Sequence, residues 1–158
     1  MTQTSQPVVR IKKLKTLLAV VENAVRGDNY TFRNIFADVG GEETDILEDG
    51  RLSCSIFASW ILLGLGLLKR SHATVSGTQR DLLESGWVEI SAPRPGAVLV
   101  WEKQIVDGGE HRHIGFCVSE TEAISNSSAD QFPRKHPIEY NGRRRIEAIY
   151  WHPDFDQG

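Results

Sequence analysis

Cys54 stands between two serines in Arg51-Leu-Ser-Cys-Ser-Ile-Phe-Ala-Ser-Trp60, where a polar turn gives way to an apolar segment. A cysteine in the first turn of a helix feels the positive end of the backbone dipole and nearby unpaired N–H groups, which favour thiolate over thiol. Placement alone does not make a nucleophile, because free cysteines are among the most buried residue types, so a base is needed. Of the five histidines, His113 is the informative one. It opens His113-Ile-Gly-Phe-Cys-Val118, and in a strand that alternation sets His113 and Gly115 on one face and Ile114, Phe116 and Val118 on the other. His111 shares the His113 face but lies nearer the Gly108-Gly109 turn. Cys117, four residues along the same strand and so ~13 Å from His113, reads as a packing residue. His72, His136 and His152 adjoin turn-like or proline-containing text and read as surface residues. His136 reaches the cleft only if the Gln131 to Tyr140 loop folds back over it.

The elements that must position this pair follow from periodicity. Ile11, Leu14, Leu17, Leu18, Val21 and Val25 recur at helical spacing after a flexible leader over residues 1–9, predicting an amphipathic helix within 10–27. Residues 28–49 mix aromatics, Gly40-Gly41 and acids, and read as a loop region with one short helix bordering a site. Ser53 is suited to N-cap a helix that begins at Cys54, is apolar on nearly every face, and closes at Gly64 and Gly66. A further helix, capped by Thr74 or Ser76, ends at Ser85-Gly86. Five β-type runs follow, at Trp87–Ile90, Ala97–Trp101, His113–Val118, about Ala123–Asn126 and Ile146–Trp151. Pro93-Arg94-Pro95-Gly96 and Asp107-Gly108-Gly109 read as turns between them. Helices first and an antiparallel meander second make an α+β chain of one domain over residues 1–158.

Composition narrows the partners. The chain has 158 residues, 25% charged and 40% hydrophobic, with a formal net charge of −3. Nucleic acid and anionic membranes are therefore not expected partners, and Arg143-Arg144-Arg145 reads as a solvated loop or strand end. Two cysteines make no disulfide framework and suit a thiol that stays reduced. The apolar stretches are too short for a membrane span, and no secretory signal is read, so the expected location is the cytoplasm or export by another route. His111-Arg-His113 lacks the second ligand pair a structural zinc needs, and Gly64-Leu-Gly66 is a helix terminus rather than a dinucleotide loop. Neither a metal nor a cofactor is expected.

The order of motifs resembles the NlpC-type cysteine peptidases, which are papain-like, over about Leu52 to Ser128. The residues that carry the likeness are Ser53-Cys54-Ser55-Ile56-Phe57, Arg94-Pro95-Gly96-Ala97 and His113-Ile114-Gly115-Phe116. The stretch from Pro95 to Trp101 is also similar to CHAP amidases. Ser53, Ile56 and Ala97 stand where the family usually has aspartate, glycine and aspartate, marking a divergent relative. The resemblance implies a buried nucleophile helix packed on an antiparallel sheet, Cys54 as nucleophile and His113 as base. It also implies a third polar group on the next strand that holds the imidazole. Counting without gaps puts Ser125 there, whereas the adjacent Asn126 offers an amide oxygen that can fix the tautomer, and Asn126 is the chemical choice. Tyr30 is the candidate for the tyrosine often found near the thiol, with aromatic core as its simpler role. The implied reaction is cleavage of a peptide or amide bond, with bacterial cell-wall peptides as the implied substrate class. A catalytically inactive module that binds a peptide or protein through the same cleft is the alternative, and acyl transfer or deamidation would use the same dyad.

Overall fold

The computed structural model describes residues 5–106 and 108–157. Its elements run α1 (Lys13–Asn23), β1 (Phe36–Val39), β2 (Glu42–Asp45), α2 (Cys54–Gly64), α3 (Val75–Glu84), β3 (Val88–Glu89), β4 (Val98–Val106), β5 (Gly109–Cys117), β6 (Glu122–Ser127), β7 (Phe132–Pro137) and β8 (Ile146–Trp151). A short 3-10 turn, Pro153–Gln157, follows. The chain is thus mixed α+β, with three α-helices and antiparallel sheets among the described residues. Six strands form one sheet in the order β3-β8-β4-β5-β6-β7, and β1 and β2 form a separate hairpin.

Helix α2 is the centrepiece. Ser55 to Ser59, Ile61 and Leu62 are all buried, so the helix has almost no solvent face, as its unbroken apolar text predicts. It lies on β5 and β6, where Phe57 meets Phe116 edge-on at 5.7 Å between ring centres. It ends in a Schellman turn: Gly66 takes φ +68°, and Gly66 N–H and Leu67 N–H close on Leu63 and Leu62 carbonyls. Helix α1 contributes Leu17 and Val21 to the same core, while Ile11 is 67% exposed and lies outside the helix.

Several expectations are corrected here. Residues 28–49 hold no helix; Phe36–Val39 and Glu42–Asp45 pair as a hairpin around the Gly40-Gly41 turn. Ser53 sits at the N-cap position of α2 but makes no capping bond, and its hydroxyl is buried without a partner. Thr74 does cap α3, its hydroxyl accepting from Gly77 N–H at 3.0 Å. The segment expected to be a loop over 131–140 contains β7, and its prolines are tolerated because β7 is an edge strand. Among the expected turns, Asp107 lies outside the described residues. His72 and His152 are not surface residues: His72 pairs with buried Asp81 at 2.7 Å, and His152 is buried against Trp87.

Candidate active site

Cys54 is the first residue of α2 and lines a cavity of about 550 Å³ together with Ser55, His113, Asn126 and Arg144. Strands β5 and β6 pair from Cys117↔Ala123 to Gly115↔Ser125 and go no further towards His113. Beyond that pair the Ile114 backbone acts on the Cys54 thiol in the direction that favours the thiolate. The Ser55 N–H and hydroxyl also favour the thiolate, and that hydroxyl is buried with no oxygen or nitrogen partner. Burial acts in the other direction and outweighs them, pushing the Cys54 thiol up.

His113 is fixed through one ring nitrogen. Its Nε2 lies 2.8 Å from Ser125 Oγ, which in turn lies 2.7 Å from His136 Nε2 and 3.1 Å from the Tyr140 hydroxyl. Trp101 walls the cluster, its ring centre 5.3 Å from that of His113 and 5.4 Å from that of His136. Burial, and then the charges of Arg144 and His136, pull the His113 imidazole down to about 3. Thiol and imidazole are thus both neutral near pH 7.

Of the two candidates for the third position, Ser125 is the one against the ring. Asn126, expected there on chemical grounds, instead donates through Nδ2 to Gly50 O at 2.7 Å. Strand alternation is the reason: Ser125 is paired with Gly115 and so shares the His113 face, and the neighbouring residue must point the other way. Asn126 still lines the cavity, and its Oδ1, fixed by the carbonyl that Nδ2 engages, is a buried acceptor without a partner.

The chain matches no family model and no curated protein.

Two side chains at the site, Arg144 and Tyr140, were not singled out from the sequence, and His136 was given a place in the cleft only if residues 131–140 fold back over it. Arg144, read as part of a solvated run, is half-buried. It donates through Nε to Glu102 O at 2.9 Å and through Nη2 to His111 O at 2.8 Å. Both partners are neutral carbonyls, and its charge acts on Cys54, His113 and Tyr140. His136 and Tyr140 come from β7 and the turn after it, and stack 4.0 Å apart. The signal for His136 was its position two residues from Arg134, the partner of Ser125 across β6 and β7, but it is visible only once β7 is known to be a strand. Tyr30, by contrast, is 55% exposed and packs on Phe132 and Arg33, so it is not core, and the cavity that Cys54 lines is formed by other residues. Cys117 is fully buried with its sulfur on Ser119 O at 3.1 Å, in keeping with a packing role. Groups of three or more potential metal ligands are absent among the described residues.

A second cavity, of about 500 Å³, shares His113, Asn126 and Arg144 with the first, so the two meet at the histidine. The charged lining of the first is Arg51, Lys103, Arg112 and Arg144 against Glu110; that of the second is Arg134, Lys135, Arg143 and Arg144 against Asp130. Four of these basic residues are already paired with carboxylates: Arg51 with Glu48, Arg112 with Glu147, Arg134 with Asp130 and Lys135 with Glu22.

Proposed function

We propose that the chain is a cysteine hydrolase of papain-like, NlpC-related type that cleaves a peptide or amide bond in an anionic substrate. The observation that carries the reading is that Cys54, the first residue of α2, and His113 line one cavity, with the imidazole Nε2 held by Ser125.

In this mechanism the Cys54 proton passes to His113 Nδ1 as the sulfur attacks the carbonyl carbon. The C=O pair becomes an oxyanion, for which the first-turn N–H groups of α2, which lack helical partners, are the natural donors; each such donor is worth ~3 kcal/mol. The His113 imidazolium then returns its proton to the amide nitrogen, the C–N bond breaks, and an amine leaves an acyl-thioester. Water, deprotonated by the same nitrogen, attacks the thioester, and a carboxylic acid and the free thiol are restored. Arg144 engages a substrate carboxylate, for which its neutral carbonyl partners are no substitute. Asn126 Oδ1 accepts a substrate N–H. Cell-wall stem peptides, which carry free carboxylates, satisfy both the resemblance and the cationic lining.

The alternative is a binding module that uses the same cleft without turnover, and the neutral resting pair is what favours it. Product analysis separates the two. Incubation with a panel of acidic peptides, including cell-wall stem peptides, is expected to give new amine and carboxyl termini by mass spectrometry, and none with Cys54→Ser. Saturable binding of the same peptides with no bond cleaved by the wild type would leave the module reading standing.

A further inference from the structure

Ser125 cannot hold His113 in a defined state by itself, because a hydroxyl can donate or accept and so suits either imidazole tautomer. What decides its direction lies one residue further out. His136 Nδ1 is 2.8 Å from the Pro137 carbonyl, which can only accept, so Nδ1 carries the proton. With His136 neutral, its Nε2 is then a bare acceptor, and the Ser125 hydroxyl 2.7 Å away must donate to it. The Ser125 oxygen, having spent its proton, accepts from His113 Nε2–H at 2.8 Å and from the Tyr140 hydroxyl at 3.1 Å. Every lone pair and proton on that oxygen is then used.

From this chain of bonds we propose that His136 is a positioning residue that acts through Ser125 to lock His113 as the Nε2–H tautomer. Nδ1 is thereby left bare to take the Cys54 proton. Burial holds His136 below its ordinary value, against the pull of the Pro137 carbonyl, which keeps it in the neutral form the relay needs near pH 7. The stack of Tyr140 on His136, with planes 12° apart, and the Trp101 wall keep the ring from turning over. The proposal rests on the hydrolase reading for its effect on rate, but not for its effect on the tautomer.

Two measurements test it. In ¹⁵N-resolved NMR of the full chain near pH 7, His113 is expected to carry its proton on Nε2 in the wild type and in His136→Gln, whose Oε1 replaces the acceptor. Loss of the single Nε2–H state is expected in His136→Ala. In kinetics, His136→Ala is expected to lower kcat/KM by ~10–100-fold, the usual effect of removing a group that orients a catalytic one. His136→Gln should restore most of that loss, and His136→Ala should have less than about a twofold effect in a Ser125→Ala background, because its route to His113 is already cut. A His113 that stays Nε2–H in His136→Ala, or losses that multiply in the double variant, would overturn the proposal. The tautomer readout stands even if no substrate is hydrolysed, so failure of the relay and failure of the hydrolase reading are distinguishable.

Discussion

Gly115 sits opposite Ser125, and a Cβ built on it would lie 2.5 Å from Ile124 O and 2.6 Å from Ser125 Cβ. Both neighbours belong to strand β6, so Gly115→Ala forces β6 away from β5 and takes the Ser125 hydroxyl off His113. Overpacking of this kind costs about 1–3 kcal/mol, which thermal unfolding measures. A ~10-fold or greater fall in kcat/KM is expected at temperatures where the variant is still folded. Full activity in a destabilised variant would show that the β5–β6 spacing does not set the site. Residue type and order pointed to Cys54 and His113, which line one cavity, and to the position of Ser125, which lies on the His113 ring. Preferring Asn126 over Ser125 weighed chemistry without strand alternation, which assigns the side chain on the His113 face. Arg144 was not legible, since three consecutive arginines look alike until the fold buries one of them between Glu102 and His111.

At the scale of elements, α2 and α3 are joined by a segment organised around one carboxylate. Asp81, 4% exposed, accepts from Lys69 N–H, Arg70 N–H and Ser85 Oγ, and pairs with His72. Burial alone would raise its pKa, but the bonds from His72, Ser85 and the two amides win and hold it at about 2. Because the folded value lies below the unfolded one, the stability gained is present above about pH 4 and is lost as pH falls through about 2. The gain is of order 2 kcal/mol. Asp81→Asn should therefore lower stability to denaturant by about that amount at pH 6, and the gap to wild type should narrow between pH 4 and 2. A gap that stays constant across that window would contradict it. Helix α2 was legible from its unbroken apolar text and glycine stop, and α3 from its Thr74 cap and its stop at Ser85-Gly86. Strand β7 was not, because Pro133 and Pro137 argue against a strand unless it is known to be an edge, and that depends on the rest of the sheet. The β1–β2 hairpin was missed for a different reason: its strands are short and mostly exposed, and they lack the alternation that marks a half-buried sheet.

For the molecule as a whole, net charge hid the character of the cleft. A chain with formal charge −3 reads as indifferent to anions, yet its two adjoining cavities are lined by seven lysines and arginines, of which Arg51, Arg112, Arg134 and Lys135 pair with Glu48, Glu147, Asp130 and Glu22. Only the fold reveals that lining, because Arg51, Lys103, Arg112, Arg134, Lys135, Arg143 and Arg144 come from separate parts of the chain. Substrate capture should accordingly be steered. For an acidic peptide, kcat/KM is expected to fall roughly tenfold between low salt and ~0.5 M, while a neutral analogue with amidated carboxyls should be slower and nearly independent of salt. Equal salt dependence for the two would remove charge from the account of specificity.

If Cys54 is a nucleophile served by His113, its alkylation by iodoacetamide depends on that imidazole, with fully buried Cys117 as the internal control. Peptide-resolved mass spectrometry at pH 7 is expected to show Cys54 modified while Cys117, its thiol pushed by burial up to about 11, stays free. His113→Ala should slow the Cys54 reaction by ~100-fold, the lower range of what a positioned base contributes. An unchanged rate at Cys54 in His113→Ala, with the fold intact, would contradict the dyad.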